Sequence, residues 1–70
     1  MKKISQVEME KREQFVTLRR RKKLQAKTVA EYIGCSQALI SKYERGESYM
    51  SEVKVKLYEK FITDYEEKRE

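Results

Sequence analysis

The stretch VAEYIGCSQALISKYERG, Val29 to Gly46, constrains this chain most, because it sets a glycine between two short apolar runs. The chain has two glycines and no proline, so each glycine marks a place where the backbone must turn. Glycine takes the left-handed conformation just past a helix end without steric cost. Gly34 is therefore expected to end a helix over about Ala26 to Ile33 that buries Val29, Ala30 and Ile33. Ser36 is a natural N-cap for a next helix, about Gln37 to Glu44, burying Ile40 and Tyr43. Gly46 closes that helix in the same way.

No strand signal appears elsewhere, and the helix formers Lys, Glu, Gln, Arg, Leu and Ala dominate. Ser5-Gln6-Val7-Glu8 reads as a capping box, with Ile4 and Met9 placed for a hydrophobic staple. A first helix is expected from there to about Lys22, with Phe15 and Leu18 facing inward. After the loop ESYM, Ser51 caps a last helix over about 52–67. Glu52–Lys56, Lys60–Asp64 and Asp64–Lys68 support it as pairs four apart. Val53, Leu57 and Phe61 form one apolar stripe on it, and Tyr58, Ile62 and Tyr65 form a second beside it. One stripe suffices to close a small core. The expectation is all-α: a small bundle of four to five helices, one domain over 1–70 with its core at about 15–61.

Composition narrows the chemistry. Seventy residues give a limited core, and small chains gain stability from a partner, a metal or disulfides. With no histidine and a single cysteine, Cys35, neither a metal site nor an internal disulfide can be drawn. The same lack removes any nucleophile–base pair, so an enzyme is rejected and no cofactor is expected. Cys35 suits a small buried hydrophobe better than a redox switch. The basic start lacks the apolar segment of a signal peptide, and no run approaches membrane-spanning length. A cytoplasmic protein with no membrane partner is expected.

Charge is distributed unevenly. Residues 1–50 hold 12 Lys and Arg against 6 Asp and Glu, a net of +6, whereas residues 51–70 hold 5 against 6. RRRKK, Arg19 to Lys23, is the densest patch. Such a localised excess is the footprint of a nucleic-acid binder, and equally suits a solvated helix face.

The spacing carries more meaning than the charge. A helix-turn-helix unit needs a small residue where its helices cross, Ala30, and a turn residue tolerant of positive φ, Gly34, four positions on. It then needs apolar anchors on the following helix, Ile40 and Tyr43. Val29, Ile33 and Cys35 fill the remaining buried positions. LRRRKKLQAKTVAEYIGCSQALISKYERG resembles the phage-repressor-like helix-turn-helix family of Cro/C-repressor and xenobiotic-response-element-like regulators, over about Phe15 to Phe61. SKYERG looks like the family's usual Ser-x-x-Glu-x-Gly ending. The resemblance implies a lambda-repressor-like DNA-binding fold whose members bind DNA operators, usually as dimers. It also implies an ion pair between Arg19 and Glu44 that fixes helix one against the recognition helix. Three positions depart from the pattern. Ala26 stands where the family often has glutamine, Lys23 stands at a frequent glycine position, and the proline usual before the fourth helix is absent, with Met50 nearby.

Carried onto this chain, the motif places Gln37, Ala38, Ser41 and Lys42 on the outward face of the recognition helix as base contacts. Gln37 would read adenine, Lys42 guanine or a phosphate, and Ala38 a thymine methyl. Phosphate contacts are expected from Gln25, Lys27, Ser36, Arg45, Arg19 and Tyr49, and from the backbone N–H at Ala26. Tyr49 would equally suit packing on the domain. Tyr58, Ile62 and Tyr65 form the candidate dimer seam; the alternative turns Tyr58 and Ile62 inward and leaves Tyr65 alone exposed. The leading expectation is a sequence-specific regulator of double-stranded DNA, a repressor from a bacterium, phage or mobile element. It would work as a homodimer, with a regulatory protein partner as a possible control. The competing expectation is a protein-interaction module, an antirepressor or antitoxin-like partner on the same scaffold.

Overall fold

The computed structural model describes residues 5–65. Among these residues four helices follow one another: α1 (Gln6–Arg21), α2 (Ala26–Ile33), α3 (Gln37–Glu44) and α4 (Glu52–Asp64). Ile4, the stretch 66–67 expected to end the last helix, and Lys68 lie outside the described residues. Three serines start three of the helices: Ser5, Ser36 and Ser51 each accept a hydrogen bond from the backbone N–H three residues on. Each thereby satisfies a donor that a helix start otherwise leaves bare. The Glu8 carboxylate accepts from Arg12, one turn further along the helix, at 3.3 Å.

Helix ends set the angles between helices. At the end of α1, Leu24 N–H donates to Arg19 O and Lys23 N–H to Arg20 O. This Schellman pair turns the chain through a left-handed residue, which here is Lys23 at φ 58°. The turn sends Leu24 straight into the core, where it is 2% exposed. Gly34, at φ 88°, ends α2 with its N–H on Ala30 O at 2.8 Å. A Cβ there would meet nothing within 4 Å, so the left-handed φ is the whole reason for glycine. The Schellman pair recurs after α3, with Glu47 N–H on Lys42 O and Gly46 at φ 79°.

Leu24, Val29, Ala30, Ile40, Tyr43, Tyr58 and Ile62 make the core, with Phe15, Leu18 and Ile33 partly buried against it. α2 packs on α3 and α4, and α1 lies across α4 and α3. Lys22 locks the closing contact: its ammonium donates to Ile62 O at 2.7 Å and Thr63 O at 2.9 Å, capping the carbonyl end of α4.

Two expectations about α4 are corrected. The inward stripe is Tyr58 and Ile62, at 1% and 0% exposure, so these two cannot form a dimer seam. Val53, expected inside, is 68% exposed, while Leu57 and Phe61 are half-buried at the rim. A polar partner decides the phase. Inside, the Tyr58 hydroxyl donates to Glu44 at 2.7 Å while its ring meets Tyr43 and Phe15 edge-on. The helix also stops sooner than expected, since Tyr65 is already extended at φ −67°, ψ 134°.

Lys23 pays a steric penalty that glycine would not, of about 1–2 kcal/mol for a left-handed residue carrying a Cβ. Lys23→Gly is expected to stabilise the domain by about 1 kcal/mol, raising Tm by about 4–8 °C in a thermal melt. An unchanged or lower Tm would show that the Lys23 side chain offsets the penalty.

Candidate nucleic-acid interface

Two buried arginines on α1 hold α3 in place. Arg19 grips Glu44, the last residue of α3, with both ends of a fork: Nε to Oε2 and Nη2 to Oε1, each at 2.7 Å. Its Nη1 donates to Leu24 O at 2.9 Å, and the Tyr58 hydroxyl adds a third bond to the same carboxylate. The pair is nearly sealed, at 10% and 9% side-chain exposure. The hydrogen bond to Glu44 raises the Arg19 pKa above its already high value, against the opposing effect of burial. Burial first, and then the adjoining carboxylate, push the Tyr58 phenol far above the usual tyrosine range. The cluster is a cation, an anion and a neutral phenol, and its hydrogen bonds join α1, α3 and α4.

Arg12, one face-repeat earlier on α1, is 2% exposed. Its Nη1 donates to Tyr43 O at 2.7 Å and to Ser48 O at 2.9 Å. The guanidinium lies 3.9 Å from the centre of the Tyr43 ring and 5.4 Å from that of Tyr49. Arg12 therefore ties the end of α3 to the loop that follows. The sequence reading passed over it because it lies in a polar stretch. Its signal was the spacing Arg12, Phe15, Arg19, which puts two arginines on the same helix face as a core aromatic.

Held this way, α3 turns Ile40 and Tyr43 inward and leaves Gln37, Ala38 and Lys42 exposed, with Ser41 half-buried. Ser36 uses its hydroxyl oxygen to accept from Leu39 N–H. Its O–H proton stays available to a further acceptor. Beside α3, a cleft of about 230 Å³ opens between α1 and the start of α2, lined among others by Arg19, Arg20, Ala26, Ser41, Glu44 and Arg45. Ala26 begins α2, so the first backbone N–H groups of that helix lie at the cleft, with exposed Gln25 and Lys27 on either side. Gln25 makes no side-chain cap bond. The arrangement is a concave basic surface next to an exposed polar helix face.

The chain matches the family model described as helix-turn-helix over residues 17–62. It belongs to the phage-repressor-like helix-turn-helix family. Neither the curated proteins nor the solved structures yielded a match. Membership makes this helix-turn-helix chain a DNA-binding transcription regulator, whose partner is double-stranded DNA. No helix among the described residues is long and apolar enough to cross a membrane.

Two groups of the expected contact residues border this surface. Gln37, Ala38, Ser41 and Lys42 share the outer side of α3, while Gln25, Ala26 and Lys27 gather at the start of α2. Arg45 is exposed but paired with Glu47 at 2.9 Å. Tyr49, 52% exposed, stands by Arg12. Arg19 is a correction: all three of its nitrogens donate to groups within the domain, so its role is to position α3. Arg20, its neighbour in the cleft, was not singled out, because a run of five cations does not show which members face inward.

Proposed function

We propose that the protein is a sequence-specific repressor that lays α3 in the major groove of its operator. The observation that carries this reading is the exposed polar face of α3 lying beside the basic cleft, with the inner face locked by Arg12 and Arg19. In this reading Gln37 hydrogen-bonds an adenine edge, Lys42 reaches guanine acceptors, and Ala38 and Ser41 complete the base contacts. Arg20, Lys27, Ser36, Gln25, Arg45 and the first N–H groups of α2 at Ala26 hold phosphates on either side. Tyr49 adds a hydroxyl to a phosphate at the far end.

Base readers and phosphate holders fail differently. Gln37→Ala is expected to lose about 1–3 kcal/mol on operator DNA and little on scrambled duplex, flattening discrimination. Lys27→Ala is expected to weaken both alike and to reduce the salt slope by about one. Footprinting upstream of its own gene would supply the operator, and fluorescence anisotropy across a salt series reads both variants. If the two behave identically, the division of labour is wrong. Loss of binding to every duplex by the unaltered chain would favour the protein-interaction module instead.

One such unit covers a half-site, so the working form is a homodimer with two α3 helices about one helical turn apart. The seam follows the apolar surface that the core leaves over. Tyr32 stacks on Phe61 with ring centres 4.2 Å apart, Tyr65 meets Phe61 edge-on, and Leu57 and Val53 continue the strip along α4. Tyr32 is 50% exposed in the single chain. Tyr32→Asp should keep its helical circular dichroism, sediment as a monomer and bind palindromic DNA more weakly. A variant that stays dimeric places the interface elsewhere.

A further inference from the structure

Arg45 and Glu47 form a forked ion pair, with Arg45 Nε 2.9 Å from Glu47 Oε2 and Nη2 3.2 Å from Oε1. Their backbone is fixed independently of that contact. Gly46, between them, is left-handed, and the Glu47 and Gly46 N–H groups are bonded back onto α3 at 2.8 and 3.1 Å. The turn thus places residues 45 and 47 side by side before any charge interaction is counted. Arg45 also lines the cleft with Arg20, Ser41 and Ala26. Arg45 and then Lys42 hold the Glu47 carboxyl below the usual carboxylate range, so an acid stands among the very cations that face the duplex. Both side chains of the pair are 55% exposed, so the contact can exchange without unfolding.

We propose that Glu47 is an internal stand-in for a DNA phosphate, holding Arg45 in the free protein and giving it up to the backbone when a duplex binds. This rests on the DNA-binding reading above. A carboxylate and a phosphate offer an arginine fork the same two-oxygen geometry, so the exchange replaces like with like. Its effect is to lower affinity for all duplexes. In the free protein Arg45 is already neutralised, and in the complex Glu47 is left as an uncompensated anion close to phosphates. Contacts read by α3 then make up a larger share of the binding that remains.

The test uses the full chain, a labelled duplex from upstream of its own gene and a random-sequence duplex, titrated across a potassium chloride series. Glu47→Gln keeps the side-chain size and removes the charge. It is expected to bind both duplexes about two- to fivefold more tightly at low salt, the range set by the strength of an exposed ion pair. Its log–log salt slope is expected to steepen by about one. With Arg45→Ala already in place, Glu47→Gln should lose most of its effect. Glu52→Gln removes the same charge from an exposed pair with Lys56 on α4 and should change little. Glu47→Gln with wild-type affinity and slope, or a Glu52→Gln variant that matches it, overturns the inference while leaving DNA binding intact. Binding by none of the five proteins overturns the DNA reading and this inference with it.

Discussion

Everything that presents α3 to a partner depends on one carboxylate. Glu44 accepts two bonds from Arg19 and one from Tyr58, all at 2.7 Å, so a single anion at the end of α3 is tied to α1 and α4 at once. A core this small cannot fix a helix of eight residues by apolar contact alone, since Ile40 and Tyr43 are its two buried side chains. The ion cluster supplies direction where hydrophobic packing supplies only proximity. Its worth is geometric, because desolvating both charges offsets much of their attraction.

Arg12 does for the loop what Arg19 does for the helix. Its bonds to Tyr43 O and Ser48 O span the turn at Gly46, and this turn carries Arg45 and Glu47. Two arginines on one face of α1 therefore hold α3 near its end and the loop just beyond. The cations that remain at the cleft, Arg20 and Arg45 among them, meet solvent on the other side. The cations of residues 1–50 are thus two populations, one that builds the domain and one that faces outward.

Much of this was legible. Serine caps and glycine stops are local signals, so the end of α2 and both limits of α3 follow from Ser36, Gly34 and Gly46 without tertiary information. The family match over residues 17–62 spans the same landmarks. The phase of α4 was not legible, because two apolar stripes lie side by side there and the less apolar of them, with Tyr58 and Ile62, is the one that turns inward. A polar bond chose between them, from the Tyr58 hydroxyl to a carboxylate 14 residues earlier in the chain. Arg12 was hidden for a related reason. A charged residue reads as surface unless its partners are known, and its partners are backbone carbonyls 31 and 36 residues away. At the interface, charge counted the cations, but only the fold showed that Arg19 turns inward and that Arg45 is already held by Glu47.

The central claim is that the Arg19–Glu44–Tyr58 cluster orients α3 and is costly to break from one side. Urea unfolding of Arg19→Met beside the triple replacement Arg19→Met, Glu44→Leu, Tyr58→Phe tests it most directly. The single change should lose about 3–5 kcal/mol, since it leaves Glu44 charged and buried without its cation. The triple change removes the three polar side chains of the cluster, leaving only the Leu24 carbonyl without its Arg19 donor, and should recover most of that loss. An Arg19→Met protein as stable as the unaltered chain would contradict the account.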